Sequence, residues 1–217
     1  MSVDAKICGI NSDAAMDAAL DGGARYVGLV FFARSPRNVD LATAARLAAR
    51  ARGRATIVAL VVDPDDRQLA DIVGQVSPDM IQLHGRETPE RTAEIVKLIK
   101  RPVMKAIPVA SARDADRALQ FSSVADLILF DAKPPVGPGS LPGGNGVAFD
   151  WNLIASVKDR VPFMLSGGLT PGNVADAIRQ TGAHSVDVSS GVEASPGVKS
   201  PELIRHFLQA VKAAKQQ

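Results

Sequence analysis

Short β-branched runs alternate with alanine-rich amphipathic segments along the whole chain of 217 residues, and this alternation restricts the fold more than any other feature. The pattern is typical of βα units that surround a parallel sheet. We predict strands that begin near Ala5, Tyr26, Ala55, Asp79, Pro102, Leu127, Val161 and Ser185. We predict a helical segment after each strand, beginning near Asp13, Asp40, Asp65, Pro89, Ala112, Trp151, Pro171 and Pro201. These units predict the α/β class and a single-domain (β/α)8 barrel with a parallel eight-stranded sheet, spanning residues 1–217.

An open, doubly wound sheet is the rival fold for a chain of alternating strands and helices. Such a sheet usually needs only about five or six strands, and its phosphate-binding glycine motif normally follows the first strand. Here the first strand leads into Cys8-Gly9-Ile10-Asn11, which contains no such motif. The barrel is therefore favoured.

Composition limits the class of protein and its partners. A hydrophobic content of 46% is enough to bury one sizeable core. The 25 Lys and Arg residues nearly balance the 23 Asp and Glu residues, so we expect neither nucleic acid nor a charged membrane surface as a partner. A single cysteine excludes an intramolecular disulfide, and no signal peptide or long apolar run is recognisable. We expect a cytoplasmic protein.

Two glycine-containing stretches near the C-terminus indicate a phosphate site. Ser166-Gly167-Gly168 follows the seventh predicted strand and precedes a helix, and Ser189-Ser190-Gly191 follows the eighth. Exposed N–H groups and a helix dipole favour an anion at such a place, and glycine lets the backbone approach it closely. Two such loops in succession suggest one phosphate held between the last two βα loops of a barrel.

One connection, residues 134–146, is dominated by glycine and proline and can form neither a helix nor a strand. The alternative interpretation is a linker between domains. Too little chain follows it to complete a second domain of typical size. We predict a long active-site loop after the sixth strand, because loops of this length in compact barrels are usually functional.

Catalytic groups of a barrel lie at the C-terminal ends of its strands. The polar or reactive groups expected there are Cys8, the loop from Arg34 to Arg37, Asp63, His84, Lys105, Asp131, Ser166 and Ser189. Cys8 could be a small buried hydrophobe, or its thiolate could act as a base or nucleophile. Asp131 ends an apolar strand, where packing does not explain a carboxylate, and burial would help it to act as a proton donor.

Other charged residues at strand ends leave two interpretations each. His84 could be a general base or could hydrogen-bond a loop, Arg37 could clamp a carboxylate or be a solvated charge, and Lys105 could form a Schiff base or an internal ion pair. The histidines show no metal-ligand spacing with Asp, Glu or Cys, so we predict no metal.

A set of short motifs in order along the chain resembles the phosphoribosylanthranilate isomerase family. The motifs are Lys6-Ile-Cys-Gly9, Ser35-Pro-Arg37, Gln82-Leu-His-Gly85, Phe130-Asp131, Gly143-Gly-Asn-Gly146, Phe149-Asp-Trp151, Leu165-Ser-Gly-Gly-Leu169 and Val186-Asp-Val-Ser-Ser-Gly-Val-Glu193. The resemblance implies a (β/α)8 barrel of tryptophan biosynthesis that converts N-(5-phosphoribosyl)anthranilate into 1-(2-carboxyphenylamino)-1-deoxyribulose 5-phosphate by an Amadori rearrangement. It implies a small phosphoribosyl substrate and neither metal nor cofactor.

The resemblance also implies roles for individual residues. Cys8 would be the general base, Asp131 the general acid and Arg37 the partner of the anthranilate carboxylate. His84, Gly143 and Gly144 would bind substrate. The phosphate would be held by Gly167, Gly168, Ser189, Ser190 and Gly191. Asn145 stands where the glycine loop of the family usually has Thr or Ser, so the role of this position is left open.

Two other functions compete with this one. The related Amadori isomerase of histidine biosynthesis resembles two half-barrels and uses an Asp pair, whereas the first strand here carries Cys8. A non-catalytic phosphosugar-binding barrel would not need both a strand-end cysteine and Asp131. The sequence does not decide between a monomer and a homodimer, because barrel helices all present partly apolar faces.

Strand parity predicts one further contact. Side chains alternate along a strand, so Lys6 points the same way as Cys8, and Asp187 the same way as Ser189. Barrel closure makes the first and eighth strands neighbours. We predict that Lys6 and Asp187 form a buried ion pair beneath Cys8; the alternative is a register shift that turns one of them to solvent.

Overall fold

The structure is a computed structural model, and it describes residues 3–134, 143–144 and 146–214. Parallel strands close into a barrel in chain order, which confirms the predicted fold. The strands are β1 Asp4–Cys8, β2 Tyr26–Phe31, β3 Thr56–Val61, β4 Met80–Leu83, β5 Val103–Val109, β6 Leu127–Ala132, β7 Phe163–Leu165 and β8 Ser185–Val188. Each begins within two residues of the predicted position.

Helices follow most of the barrel strands and pack around the barrel. They are α1 Asp13–Asp21, α2 Leu41–Ala51, α3 Asp66–Val76, α4 Pro89–Ile99, α5 Ala112–Asp116, α6 Val174–Thr181 and α7 Pro201–Ala213. Most of them begin after a Ser, Thr or Asp whose side chain accepts a backbone N–H of the first turn, as Asp40 does from Thr43. These caps are local, which is why helix starts could be predicted from sequence. No helix in the described ranges is long and apolar enough to cross a membrane.

Two predicted helical segments differ from the structure in type or in starting residue. The segment at Trp151 is a single 3₁₀ turn, Trp151–Ile154, and not an α-helix. Its one buried residue is Ile154, and Val157, which is also buried, lies beyond the end of the turn. The segment after β7 becomes helical only at Val174, because a turn intervenes after Pro171. The α5 helix is also short and continues as a 3₁₀ helix, Arg117–Phe121.

A small hairpin that we did not predict lies between β8 and α7. It follows a 3₁₀ turn, Ser190–Val192, and consists of β9 Glu193–Ser195 and β10 Val198–Lys199, paired antiparallel. This hairpin brings two charged side chains to the C-terminal end of the barrel.

The barrel interior confirms the parity argument. Lys6 and Asp187 are register partners on β1 and β8, and Lys6 Nζ lies 2.9 Å from Asp187 Oδ1. The Lys6 side chain is 0% exposed. Burial opposes its charge, but the attraction of Asp187 and Cys8 outweighs burial and holds the pKa of Lys6 above its usual value. Ser166 Oγ donates to the other carboxylate oxygen, Oδ2, at 3.1 Å.

Candidate active site

One cavity opens at the C-terminal ends of the strands. It brings together every site residue predicted from sequence except Gly191. Those residues are Cys8, Arg37, His84, Asp131, Gly143, Gly144, Gly167, Gly168, Ser189 and Ser190. An apolar wall is formed by Val30, Phe32, Leu60 and Val62. Asn145 lies outside the described residues, as do 135–142 of the glycine- and proline-rich loop.

Cys8 ends β1 and packs against Val30 and Leu60, with 4% of the residue exposed. Burial raises the pKa of the thiol, while Lys6 and Lys199 act in the opposite direction and Asp187 adds to the rise. The apolar surroundings therefore disfavour the thiolate, and the two cations favour it. A thiolate in this position is the only strongly basic sulfur that the chain can offer, since Cys8 is its single cysteine.

Asp131, near the end of β6, belongs to a short chain of polar contacts. Its Oδ1 accepts the N–H of Ala132 at 2.9 Å, and its Oδ2 lies 3.3 Å from Nε2 of His84. On the other side of the imidazole, Gln82 Nε2 lies 2.9 Å from Nδ1. When Gln82 donates to Nδ1, neutral His84 carries its proton on Nε2, facing Asp131. We named Gln82 only as part of a motif and did not predict its contact with His84.

Gly143 and Gly144 cover these groups. A Cβ at Gly143 would lie 2.6 Å from His84 Nε2 and 2.9 Å from Asp131 Oδ2. A Cβ at Gly144, whose φ is +73°, would lie 2.5 Å from Arg37 Nη1. Glycine at both positions lets the loop after β6 pack directly on the polar groups. The described end of this loop therefore lies over the cavity, as expected for an active-site loop rather than a linker.

The loops after β7 and β8 contain free backbone donors. Within the described part of the chain, the N–H groups of Gly167, Gly168, Ser190 and Gly191 donate to no protein acceptor. Asn173 fixes the first loop, since its Oδ1 accepts the N–H of Thr170 at 2.8 Å and its Nδ2 donates to the carbonyl of Gly168 at 3.0 Å. Such a cluster of N–H groups beside a short helix suits an anion.

Gly191 has a second reason to be glycine. A Cβ there would clash with the carbonyl oxygen of Leu169, so packing alone excludes a side chain. A charged substitution at this position would therefore disturb the backbone whatever the loop binds. Ser190, which lines the cavity, is the better position at which to place a negative charge.

Arg37 is buried and points to the cavity, but its bidentate contact is made with protein. Nε and Nη2 donate to the two carboxylate oxygens of Glu193 at 2.7 and 2.9 Å, and Nη2 also donates to the carbonyl of Gly144 at 3.1 Å. Among the described residues, no acceptor bonds Nη1. The sequence motif contains Glu193, but nothing in the sequence pairs it with Arg37, which lies 156 residues away.

Two strand-end candidates lie outside the cavity. Lys105 faces the helical layer, where its Nζ lies 2.7 Å from Glu87 Oε2 and donates to the carbonyl of Gly85 at 2.8 Å, so the ion-pair interpretation is the correct one. Burial lowers the pKa of Lys105, and Glu87 counteracts it. Asp63 holds a loop turn by accepting the N–H of Arg86 at 2.6 Å. The described residues contain no cluster of three or more His, Cys, Asp or Glu that could hold a metal.

Comparison with known proteins adds an independent line of support. The family model described as N-(5'phosphoribosyl)anthranilate (PRA) isomerase matches residues 5–210. A relative from Rhodopseudomonas palustris (strain BisA53), named N-(5'-phosphoribosyl)anthranilate isomerase, is 58% identical over 213 residues, which are 98% of this chain and 97% of the relative.

Two solved structures are similar in fold and sequence. One is of mutually generated monomers of the dimeric enzyme from Thermotoga maritima, with a TM-score of 0.84, 34% identity, and coverage of 97% of this chain and 98% of that one. The other, with the same values, is of a phosphoribosylanthranilate isomerase in complex with reduced 1-(o-carboxyphenylamino)-1-deoxyribulose 5-phosphate. With a matching family model, a relative of this identity and a barrel of this kind, the chain belongs to the N-(5'-phosphoribosyl)anthranilate isomerase family.

Proposed function

We propose that this chain catalyses the Amadori rearrangement of N-(5-phosphoribosyl)anthranilate to 1-(2-carboxyphenylamino)-1-deoxyribulose 5-phosphate in tryptophan biosynthesis. One observation carries the proposal: a single cavity holds a thiol and a carboxyl group between backbone N–H groups and a guanidinium nitrogen that bond no acceptor in the described part of the chain. These are an acid, a base and two anion-binding ends, which is what an isomerase of a phosphorylated, carboxylated substrate needs.

Asp131 is the proposed general acid. In its neutral form it gives a proton to the ring oxygen of the furanose, the C1–O bond breaks, and the lone pair of the anilino nitrogen forms the C=N bond of a Schiff base. His84 acts as an orienting group, because its Nε2 faces Asp131 Oδ2 at 3.3 Å. Oδ2 of Asp131 lies on the side of the cavity that Gly143 covers.

Cys8 is the proposed general base. Its thiolate takes the proton from C2 of the open-chain Schiff base, the C2–H electron pair forms a C1=C2 bond, and the C=N electron pair returns to nitrogen. Protonation at C1 and loss of the proton from the C2 hydroxyl then give the ketone product. The cations Lys6 and Lys199 favour the thiolate, against the effect of burial.

The two ends of the substrate bind to different loops in this proposal. The phosphate lies against the N–H groups of Gly167, Gly168, Ser190 and Gly191, with Ser189 beside them. The carboxylate of the anthranilate ring contacts Nη1 of Arg37, and the ring rests on the apolar wall. Binding energy at both ends then orients the reacting carbons between acid and base.

The remaining features of the protein follow from the same proposal. We propose that residues 1–217 form one domain, that the protein is cytoplasmic and needs no metal or cofactor, and that a homodimer is its assembly. The similar enzyme from Thermotoga maritima is described as dimeric, which supports the last point. Sedimentation equilibrium of the purified protein tests it.

The experiment that tests the activity follows the fluorescence of N-(5-phosphoribosyl)anthranilate, which is lost as the substrate rearranges. We expect saturable turnover by the purified chain and none by a Cys8→Ala, Asp131→Asn double variant of equal folded content. The phosphoribosylamine substrate of histidine biosynthesis serves as the competing substrate. Preferential turnover of that compound would support the rival isomerase, and binding of either compound without turnover would support a non-catalytic barrel.

A further inference from the structure

The hairpin that follows β8 carries two buried charged residues to which the proposed mechanism assigns no contact with substrate. The side chain of Lys199 is 0% exposed and that of Glu193 is 4% exposed. Burial of charges in a loop is costly unless each has partners, and an apolar pair would usually fill the same space at no loss of stability. Their partners are therefore informative.

Glu193 has every carboxylate lone pair directed at a donor. Oε1 accepts from Arg37 Nε at 2.7 Å and from Lys199 Nζ at 2.8 Å. Oε2 accepts from Arg37 Nη2 at 2.9 Å and from the N–H of Gly197 at 3.2 Å. Arg37 is thus held along one edge of its guanidinium, and Nη1, which bonds no acceptor among the described residues, is left to face the cavity.

Lys199 uses all three of its donors on nearby acceptors. Nζ donates to Glu193 Oε1 at 2.8 Å, to the carbonyl of Ser189 at 2.8 Å and to the hydroxyl of Ser189 at 3.3 Å. Three acceptors around one nitrogen match an ammonium group. Burial lowers the pKa of Lys199, and Glu193 counteracts it. The ammonium therefore supports the residue that begins the proposed phosphate loop.

These contacts join the two binding ends of the cavity through one ion cluster. Arg37 follows β2 and Ser189 follows β8, and Glu193 with Lys199 connects them directly. The cluster of Arg37, Glu193 and Lys199 contains two cations and one anion. The cluster therefore leaves one positive charge next to a cavity whose proposed ligand is negative at both ends.

We propose that Glu193 and Lys199 are positioning residues for the isomerase: Glu193 turns Nη1 of Arg37 toward the substrate carboxylate, and Lys199 holds Ser189 so that the following N–H groups face the phosphate. The inference rests on the proposed function and deepens it. Glu193 and Lys199 act through Arg37 and Ser189 and touch no substrate themselves.

The position of Lys199 has a second consequence, at Cys8. The charged groups that act on the thiol are Lys6 from β1, Asp187 from β8 and Lys199 from β10; beyond them, Arg37, His84 and Asp131 line the same cavity. Lys199 lowers the pKa of Cys8 against the effect of burial. Removal of this cation should therefore make the thiolate harder to form, which a purely structural residue would not do.

The test uses Lys199→Met, Lys199→Arg and Glu193→Gln in the full chain, with Lys212→Met and Glu202→Gln on the exposed surface of α7 as matched controls. Steady-state kinetics and the pH profile are measured for each. Binding of the separate ends is measured with inorganic phosphate and with anthranilate. Thermal unfolding shows how much of each change comes from loss of folded protein.

Lys199→Met should raise the Kd of inorganic phosphate and the KM of substrate by at least about tenfold, because a charged hydrogen-bonded support is lost. It should also move the base-dependent limb of kcat/KM to higher pH, and Lys199→Arg should return that limb toward wild type. Glu193→Gln should weaken anthranilate binding more than phosphate binding. Glu193→Gln keeps the side-chain shape, so it decides the question if Lys199→Met does not fold.

Lower thermal stability with unchanged KM, ligand affinities and pH profile in these variants would overturn the proposal, because the cluster would then be only structural. Failure of the proposed function itself would give a different result. The wild-type chain would then bind phosphate and anthranilate and the variants would bind them more weakly, but the wild-type chain would not rearrange the substrate.

Discussion

At the scale of single residues, the environment of Cys8 predicts how kcat/KM depends on pH. Because burial raises the pKa of the thiol, less thiolate is present at neutral pH than in a free cysteine, and the thiolate fraction grows as pH rises toward that raised value. We expect kcat/KM to increase with pH above neutrality. Cys8→Ser should fold normally and lose about 10²- to 10⁴-fold in turnover, since a hydroxyl is a far weaker base. A wild-type rate in this variant would remove Cys8 from the role of base.

Asp131→Asn tests the acid while its surroundings change little. The amide oxygen can still accept the N–H of Ala132, and the amide nitrogen takes the place of Oδ2 beside His84. The amide has no proton of suitable acidity for the furanose oxygen. We expect a loss of about 10²- to 10⁴-fold in kcat with KM nearly unchanged. The measurement is the fluorescence assay on protein with an unaltered unfolding temperature. A normal kcat would assign the acid to another group, with His84 as the next candidate.

Arg37→Ala tests the carboxylate end of the cavity. Since Glu193 occupies one edge of the guanidinium, substrate can reach Nη1 rather than the full fork, and we expect binding to weaken by about 1.5–3 kcal/mol, the range for a hydrogen bond to a charged group. The rise should appear in KM and in the Kd of anthranilate. If KM, kcat and anthranilate affinity were all unchanged, Arg37 would be a structural partner of Glu193 only.

At the scale of secondary-structure elements, the pair of Lys6 and Asp187 ties β1 to β8, the two strands that close the barrel. Asp187→Asn leaves the Lys6 ammonium without an anion at a fully buried position. We expect a loss of about 3–5 kcal/mol in the free energy of unfolding, measured by chemical denaturation. An unchanged unfolding midpoint in Asp187→Asn would contradict a structural role for the pair.

The matched control lies between two helices on the surface. Asp17 of α1 and Arg50 of α2 form a pair whose Nε–Oδ1 distance is 2.5 Å, and both side chains are substantially exposed. Solvent screens such a pair, so Arg50→Ala should leave the unfolding midpoint almost unchanged. The contrast between the two variants separates the effect of burial from the effect of an ion pair as such.

At the scale of the whole molecule, ligand binding should raise the thermal stability of the protein. The cavity is built from loops that follow β2, β6, β7 and β8, so an anionic ligand can bind only the closed barrel. Reduced 1-(o-carboxyphenylamino)-1-deoxyribulose 5-phosphate at about 100 times its Kd should stabilise the fold by about 2.7 kcal/mol, a rise of roughly 5–10 °C in Tm for a domain of this size.

Ser190→Asp is the control variant for that measurement, because it places a negative charge at the proposed phosphate site without the steric clash that a side chain at Gly191 would meet. We expect the variant to fold and to show little shift in Tm at the same ligand concentration. An equal shift in wild type and variant would mean that the phosphate binds elsewhere.

The amino-acid sequence by itself determined the barrel and much of the site. Strand starts and helix caps depend on neighbouring residues, so the starts of the barrel strands could be predicted to within two positions. Cys8, His84 and Asp131 could be assigned to one face because parallel strands all end there. Even the pair of Lys6 and Asp187 followed from strand parity and closure, which are properties of the fold and not of particular side-chain positions.

Only the tertiary structure decided which residues distant in sequence come into contact and which way some strand-end side chains point. Nothing local indicates that Arg37 and Glu193, 156 residues apart, meet edge to edge, or that Lys105 turns away from the cavity to Glu87. The same holds for the hairpin that delivers Lys199 to Ser189, and for the single 3₁₀ turn at Trp151 in place of a helix. These outcomes depend on the distance and direction between side chains that only packing brings together, whereas periodicity and capping reach no further than one turn or one strand.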